Sequence, residues 1–257
     1  MRALAQELVG LQPDIIQAAG ALATIALQRE TQTIPVLFTN VGDPVASGIV
    51  PRLDRPGGNV TGFASVESTL AGKWLELLSE IVPGLKRAAI MFNLKSVPLT
   101  EKFALAAASF ETEARTAARS LKVDPIIAPV HSDEEIETAI MALGREPGGG
   151  VVVMSDLFTF THRMPIILAA ARNNVPAVYN SSAYPRDGGL LSYGPDIVDP
   201  YRRAASYVDR ILRGEKPGNL PVQLPTKFEM AVNRKAATAL GPAIPPSILL
   251  RADEVIE

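Results

Sequence analysis

The 257-residue sequence contains no cysteine, only two histidines and one tryptophan. The absence of cysteine excludes disulfide bonds, thiolate nucleophiles and cysteine-ligated metal centres together, and it is compatible with an oxidising compartment. Neither histidine, His131 or His162, belongs to an HExxH metal motif, and no GxSxG nucleophile elbow is present. Both histidines are therefore interpreted as surface or capping residues, and no metal site is predicted.

A strong excess of charge is also lacking, since 25 Lys and Arg stand against 27 Asp and Glu. No basic stretch resembles a phosphate-neutralising face, so nucleic acid is not a predicted partner. No segment reaches the roughly 20 apolar residues that span a bilayer. The longest apolar segment runs from Ile15 to Leu27, and Gln17, Gly20 and Thr24 interrupt it. Direct membrane insertion is therefore not predicted.

Glycine-rich phosphate cradles are absent as well. Gly148 to Gly150 precede a predicted strand, whereas a phosphate cradle follows a strand and opens a helix. These glycines are interpreted as a loop or hinge. The sequence has no P-loop and no GxGxxG motif, so no nucleotide cofactor is predicted.

Short apolar runs alternate with helix-like stretches along most of the chain. Strands are predicted at 14–19, 34–40, 59–63, 87–93, 123–130, 148–155, 176–180, 189–194 and 227–233. Helices are predicted at 2–11, 21–31, 69–82, 100–121, 133–145, 161–174, 198–213 and 234–240. Continuous apolar strands between helices are typical of parallel sheets covered on both faces. Right-handed crossovers then give an α/β protein with doubly wound sheets.

The strand–helix cycle restarts at Arg87, which predicts two lobes. Lobe one is predicted to comprise 1–85, completed by about 197–220, and lobe two to comprise 86–190. The proline-rich segment 221–257 is predicted to be strapped across both lobes.

The first lobe is predicted to lack an initial strand–helix–strand, because it begins on a helix and has about three strands. Met1 to Leu4 run into an amphipathic pattern rather than an apolar segment, so no signal peptide is expected in these residues. An incomplete lobe exposes strand edges. Amide protection is therefore expected to be weak over 1–65 and strong over 87–180.

Small polar groups follow several predicted strands at their carboxyl ends, where open α/β sheets bind ligands. Groups converging from two lobes predict a cleft for a small polar ligand. The candidate ligand-binding residues are Gly20, Ala21, Asn40, Asp43, Asn93, Ser155, Asp156, Tyr179 and Tyr193.

Structural roles remain open for several of these candidates. Asp43 precedes a proline and fits a turn residue or a helix N-cap. Asn93 fits a residue that caps a loop, and Tyr193, on the predicted crossover strand, fits core packing.

Five segments resemble one known family over essentially the whole chain. They are FTNVGDPVASGIVPRLDRPGGNVTGF (38–63), AGKWLELLSEIVPGLKRAAIMFN (71–93), GGLLSYGPD (188–196), YRRAASYVDRILRGEKPGNLPVQLPTKFEMAVNRKAATALG (201–241) and IPPSILLRADEVIE (244–257). The chain resembles the ABC-transporter substrate-binding family that includes tryptophan-type binding proteins. The resemblance implies the type I periplasmic-binding-protein fold, in which three hinge crossovers join two doubly wound lobes.

The resemblance also implies a function. A periplasmic or extracytoplasmic receptor without catalytic activity or cofactor would capture an amino-acid-like ligand or a small organic acid between its lobes. It would deliver this ligand to an ABC permease and its ATPase subunits. One departure concerns the loop Gly20-Ala21-Leu22, where relatives often have a Gly-Thr-Pro-like sequence. The missing hydroxyl puts a bound amino-acid carboxylate in question.

Two other functional classes remain as alternatives. The first is a cytoplasmic ligand-sensing domain of the same fold within a regulator, which would need a DNA-binding segment. The second is a two-lobed enzyme that uses Asp43 and Asp156 as an acid/base pair. The absence of cysteine weakens the second, because two-lobed racemases usually need paired cysteines.

Overall fold

The computed structural model describes residues 1–65, 70–93, 101–241 and 243–257, apart from the side chains of 101–110. The predicted first residues of two helices, Thr69 and Thr100, lie outside the described residues. The chain divides into two compact units. The first unit comprises Met1–Glu67, Val97–Ala107 and Asp196–Lys227, and the second comprises Ser68–Ser96, Ala108–Pro195 and Phe228–Glu257.

The first unit contains a three-stranded parallel sheet in the order β1-β2-β3. Its strands are β1 (Ile16–Ala19), β2 (Val36–Val41) and β3 (Val60–Ala64). The free edge of β3 is partly covered, because Phe63 forms a bridge with Gln223 of the returning chain. On the other side, β1 pairs with β2 alone among the described residues.

Helices cover both faces of this sheet, as the continuous apolar strands predicted. They are α1 (Arg2–Gly10), α2 (Ala21–Glu30) and α9 (Asp199–Leu212). One face of the sheet packs with Ala5 of α1 and Leu27 of α2. The other face places Phe63 against Tyr207 of α9, with ring centroids 5.0 Å apart.

The second unit contains a seven-stranded sheet in the order β10-β9-β8-β7-β6-β4-β5. The strands are β4 (Arg87–Phe92), β5 (Asp124–Pro129), β6 (Gly149–Val153), β7 (Ala177–Tyr179), β8 (Leu191–Pro195), β9 (Phe228–Asn233) and β10 (Glu254–Ile256). Strands β4 to β8 are parallel, and β9 runs antiparallel to β8. Pro125 and Pro129 lie in β5, an edge strand, where a missing backbone N–H is tolerated.

The helices of this unit are α3 (Leu70–Ile81), α5 (Asp133–Gly144), α6 (Leu157–Thr161), α7 (Arg163–Arg172), α8 (Ala183–Arg186), α10 (Arg234–Leu240) and α11 (Pro246–Arg251). Helix α4 (Glu101–Leu121) belongs to the first unit up to Ala107 and to the second unit from Ala108. A short 3-10 helix, Pro217–Asn219, lies in the first unit. No helix of the described residues is both long and apolar enough to cross a bilayer. The parallel α/β architecture agrees with the sequence prediction.

Helix α3 shows how apolar spacing becomes packing. The predicted apolar face, which includes Trp74 and Leu78, is buried in the structure. That face lies on β6 and β7, and the indole N–H of Trp74 donates to the backbone oxygen of Tyr193 at 2.6 Å. Helix α3 therefore belongs to the second unit, whereas the predicted boundary near residue 85 had placed it with lobe one.

Two other segments differ from the predictions. The helix predicted at 161–174 corresponds to α7, and a short helix that was not predicted, α6, precedes it and meets it at His162. The segment 221–257 was predicted as a strap, but from Phe228 onward it belongs to the second unit. There β9 and β10 complete the sheet because β9 forms a five-residue ladder with β8.

Candidate ligand-binding site

The first candidate residues, Gly20 and Ala21, lie where β1 passes into α2. Gly20 caps this helix with φ 82°, and its N–H donates to the backbone oxygen of Thr39 at 2.8 Å. No side chain caps the first turn of α2. The left-handed φ explains why glycine suits this position, since other residues rarely adopt it.

Asn40 lies near the carboxyl end of β2 in an uncommon backbone conformation, with φ 55°. Its side-chain Nδ2 donates a hydrogen bond of 3.0 Å to the hydroxyl of Tyr201 on α9. Tyr201 is 42% exposed, so this polar pair is open to solvent. Sequence reasoning missed Tyr201, because no local pattern connects residues so distant along the chain.

Asp43 follows the same strand and is exposed. Its Oδ1 accepts hydrogen bonds from the backbone N–H groups of Val45 and Ala46, at 3.0 and 2.9 Å. This is the turn-capping role that the sequence left open. Contact between Asp43 and a ligand stays a prediction.

In the second unit, Asn93 and Asp156 follow β4 and β6. The backbone N–H of Asn93 donates to Oδ2 of Asp156 at 2.9 Å, and the Asn93 side chain donates to the oxygen of Val130 at 2.6 Å. Asp156 Oδ1 accepts from the N–H of Thr159 at 2.8 Å and so caps α6. Burial raises the pKa of Asp156 above its usual value, and the hydrogen bonds from Thr159 and Asn93 oppose this shift.

These contacts tie the ends of neighbouring strands together. Asn93 is only 6% exposed, and its side-chain hydrogen bond to Val130 is directed into the protein. We therefore assign Asn93 and Asp156 a structural role, and direct ligand contact by either side chain stays a prediction. Ser155, the next candidate, is exposed beside them.

Tyr179 lies in the core of the second unit and is only 1% exposed. Its ring stacks on that of Tyr184, with centroids 4.5 Å apart. Burial raises the pKa of both hydroxyl groups. This packing gives Tyr179 a role in the core, and contact of Tyr179 with a ligand stays a prediction.

Tyr193 is half-buried in the middle of β8, one residue past the level at which β6 and β7 end, and it stacks on Phe228 at the start of β9 with centroids 5.8 Å apart. The antiparallel pairing of β8 with β9 brings both rings to this edge. The aromatic pair lies at the same edge of the sheet as Ser155 and Asp156, because β6, β7 and β8 are parallel. Phe228 was not among the predicted site residues, since it opens a strand that was expected to be part of a strap.

The histidines have local partners. Nδ1 of His131 lies 2.9 Å from a carboxylate oxygen of Glu135, and Nδ1 of His162 lies 2.9 Å from the backbone oxygen of Phe158. Among the described residues, no group of three or more His, Asp or Glu side chains is placed to hold a metal ion. Exposed amides, hydroxyls and aromatic rings at strand ends are suited to binding a small molecule.

The chain is similar to proteins that bind amino acids. It is 25% identical over 240 residues to the Tyrosine-binding protein of Clostridioides difficile (strain R20291), covering 93% of this chain and 66% of that protein. The chain thus spans just under two thirds of the length of this relative.

Two solved structures share the fold. A conserved domain protein from Vibrio cholerae O1 biovar eltor is 27% identical, with a TM-score of 0.87, covering 99% of this chain and 82% of that chain. The ABC domain from Streptococcus pneumonia, solved in complex with L-Trp, is 23% identical, with a TM-score of 0.85. The match covers 99% of this chain and 85% of that chain. These neighbours confirm the predicted type I periplasmic-binding-protein fold. A family model described as ABC transporter substrate binding protein matches residues 1–256, and the chain therefore belongs to that family.

Proposed function

We propose that the protein is the extracytoplasmic receptor of an ABC importer and that it binds an amino acid with an aromatic or large apolar side chain. The observation that carries this proposal is the Tyr193–Phe228 stack, which lies at the carboxyl edge of the second sheet beside polar strand ends. Half-buried aromatic rings next to polar groups suit a ligand with a planar apolar part and a charged part.

Within the first unit, the half-buried amide of Asn40 and the exposed hydroxyl of Tyr201 offer polar groups suited to the charged end of an amino acid. Within the second unit, the Tyr193–Phe228 pair offers an aromatic surface suited to its side chain. The protein delivers the bound ligand to a membrane permease. The receptor itself needs no catalytic group.

The amino acids bound by the two similar proteins support this ligand class. One relative is named for tyrosine, and one neighbour was solved with L-Trp. At such identities the names alone leave the ligand of this chain as a proposal.

Isothermal titration calorimetry of the purified protein with the twenty amino acids tests the proposal. We expect L-tyrosine, L-tryptophan or L-phenylalanine to bind with the highest affinity. Phe228→Leu should weaken that binding by about 0.5–1.5 kcal/mol, the usual contribution of an aromatic pair beyond buried area. Phe160→Leu removes another exposed ring of the second unit and serves as the matched control. Absence of binding by any amino acid would reject the proposal.

A further inference from the structure

Tyr201 offers a hydrogen-bond donor at the carboxyl edge of the first sheet. It lies in the first turn of α9, and its hydroxyl oxygen accepts a hydrogen bond of 3.0 Å from Nδ2 of Asn40. A phenolic hydroxyl can accept at its oxygen and donate one proton. Because Asn40 supplies the donor to this oxygen, the proton of Tyr201 is left to be donated to another acceptor.

Asn40 is held in place from the backbone side. Its φ of 55° is an uncommon conformation for a residue other than glycine, and such conformations cluster at ligand sites. The preceding residue, Thr39, accepts the N–H of Gly20 at 2.8 Å, which ties the end of β2 to the start of α2. Asn40 therefore links the tyrosine hydroxyl to the Gly20–Ala21 loop.

The residues Gly20-Ala21-Leu22 of this loop carry no side-chain hydroxyl. Tyr201 places a hydroxyl at the same edge of the sheet from another part of the chain. A hydroxyl donates most strongly to an ionised oxygen, where the hydrogen bond is about twice as strong as a neutral one. The exposure of the tyrosine leaves it accessible to a small ligand.

We propose that Tyr201 is a ligand-contacting residue that determines specificity for a free carboxylate, and that Asn40 is its positioning residue. The hydroxyl of Tyr201 donates to a carboxylate oxygen of the bound amino acid. Asn40 fixes the orientation of this hydroxyl by donating to its oxygen. This inference rests on the proposed function, because it assumes that the ligand is an amino acid.

Calorimetry with L-tyrosine, L-tryptophan and their methyl esters tests the inference on the wild-type protein and Tyr201→Phe. The ester lacks the negative charge but keeps the amine and the side chain. We expect Tyr201→Phe to weaken binding of the free acids by about 10- to 100-fold, the range for a hydrogen bond to a charged group. The affinity for the esters should change by less than about threefold. The ratio of acid affinity to ester affinity, called the acid-to-ester ratio, should therefore fall.

Tyr207→Phe is the matched control, because it removes a hydroxyl from the same helix. That hydroxyl donates to the backbone oxygen of Pro221, so thermal stability should fall while the acid-to-ester ratio stays at the wild-type value. Asn40→Ala tests positioning, and it should lower the ratio in the same direction as Tyr201→Phe but by less. A changed ratio cannot arise from loss of folding, which would reduce acid and ester binding equally.

The outcomes separate the inference from the proposed function. An unchanged acid-to-ester ratio in Tyr201→Phe, with wild-type affinity for the acids, would overturn the role of Tyr201 and leave the proposed function standing. Failure of the wild-type protein to bind any of the twenty amino acids would overturn both.

Discussion

The polar residues that follow the strands differ between the two units in their exposure and in their hydrogen-bond partners. In the first unit, Asn40 is half-buried and Asp43 is exposed, although each makes a hydrogen bond within the unit. In the second unit, Asn93 and Asp156 turn inward and hydrogen-bond the ends of neighbouring segments. A polar residue after a strand is therefore an ambiguous signal. Its role depends on whether the neighbouring strands offer buried donors and acceptors.

The carboxylates of Asp156 and Asp196, which both accept backbone N–H groups, differ between the units in the direction of their pKa shifts. Asp156 in the second unit caps α6 and accepts backbone hydrogen bonds from Asn93 and Thr159, and burial raises its pKa. Asp196 in the first unit accepts the N–H groups of Val198 and Asp199 and also the ammonium group of Lys227 at 2.8 Å. The hydrogen bond from Lys227 lowers its pKa despite an exposure of only 7%. A nearby cation thus decides the direction of the shift.

The largest expected effect concerns Asp43, whose exposure distinguishes it from Asp156. Asparagine caps as well as aspartate, so Asp43→Asn keeps the turn and removes only the charge. We expect amino-acid affinity to fall by about 1.5–3 kcal/mol if the carboxylate meets the ligand ammonium group. Calorimetry measures this change, with a thermal melt as the check on folding. Unchanged affinity would assign Asp43 to the turn alone and make both units' strand-end carboxylates structural.

A second test introduces a steric clash into each sheet separately. A methyl group on Gly62 would overlap the carbonyl oxygen and ring of Phe38 in the first unit, and one on Gly194 would overlap the backbone of Asn180 in the second. Each glycine-to-alanine variant should lose about 1–3 kcal/mol, as overpacked sites do. Amide hydrogen exchange should accelerate over β1–β3 in Gly62→Ala and over β7–β9 in Gly194→Ala.

Gly10→Ala is the control for these two variants. Nothing lies within 4 Å of the added methyl group, and the residue ends helix α1. This variant should be as stable as the wild type or slightly more so. Equal acceleration of both sheets by Gly62→Ala would show that the two units unfold together.

The smallest expected effect is the pH dependence of stability. Because the folded pKa of Asp156 is raised above 3.8, the folded protein keeps a proton that the unfolded chain has lost, and stability falls as pH rises through that window. The folded pKa of Asp196 is lowered below 3.8, so its stabilising contribution is present above 3.8 and lost as pH falls through the folded value.

Denaturant titrations between about pH 3 and pH 7 measure both contributions. In the wild type, Asp156 makes the free energy of unfolding fall as pH rises, and Asp156→Asn should remove this fall. Asp196 makes the free energy of unfolding rise with pH, and Asp196→Asn should remove this rise. Slopes that change in the same direction in the two variants would contradict the opposite shifts.

Apolar spacing and strand rhythm predicted most of the architecture. The face of α3 that includes Trp74 and Leu78 follows from spacing alone, and it is buried. Periodicity did not show where α3 packs, so the restart of the strand–helix cycle at Arg87 was interpreted as the lobe boundary. The strand β10 was missed because a three-residue strand carries no pattern of its own.

The candidate site was less predictable, because its contacts join distant parts of the chain. The Asn40–Tyr201 hydrogen bond spans 161 residues, and no local signal points to it. Tyr179 follows the rule that strand ends bind ligands, yet its ring turns into the core and stacks on Tyr184. Sequence position places a residue at an edge of the sheet, but the direction of its side chain depends on the packing around it.

The single tryptophan, Trp74, is an intrinsic fluorescence probe of this protein. Trp74 is 1% exposed and donates to the backbone oxygen of Tyr193, the residue whose ring stacks on Phe228. A sheltered indole should emit at short wavelength, and all tryptophan emission comes from this single position. Any molecule that displaces the end of β8 alters that emission. Fluorescence excited selectively at tryptophan can therefore follow ligand capture in real time without a dye or a label.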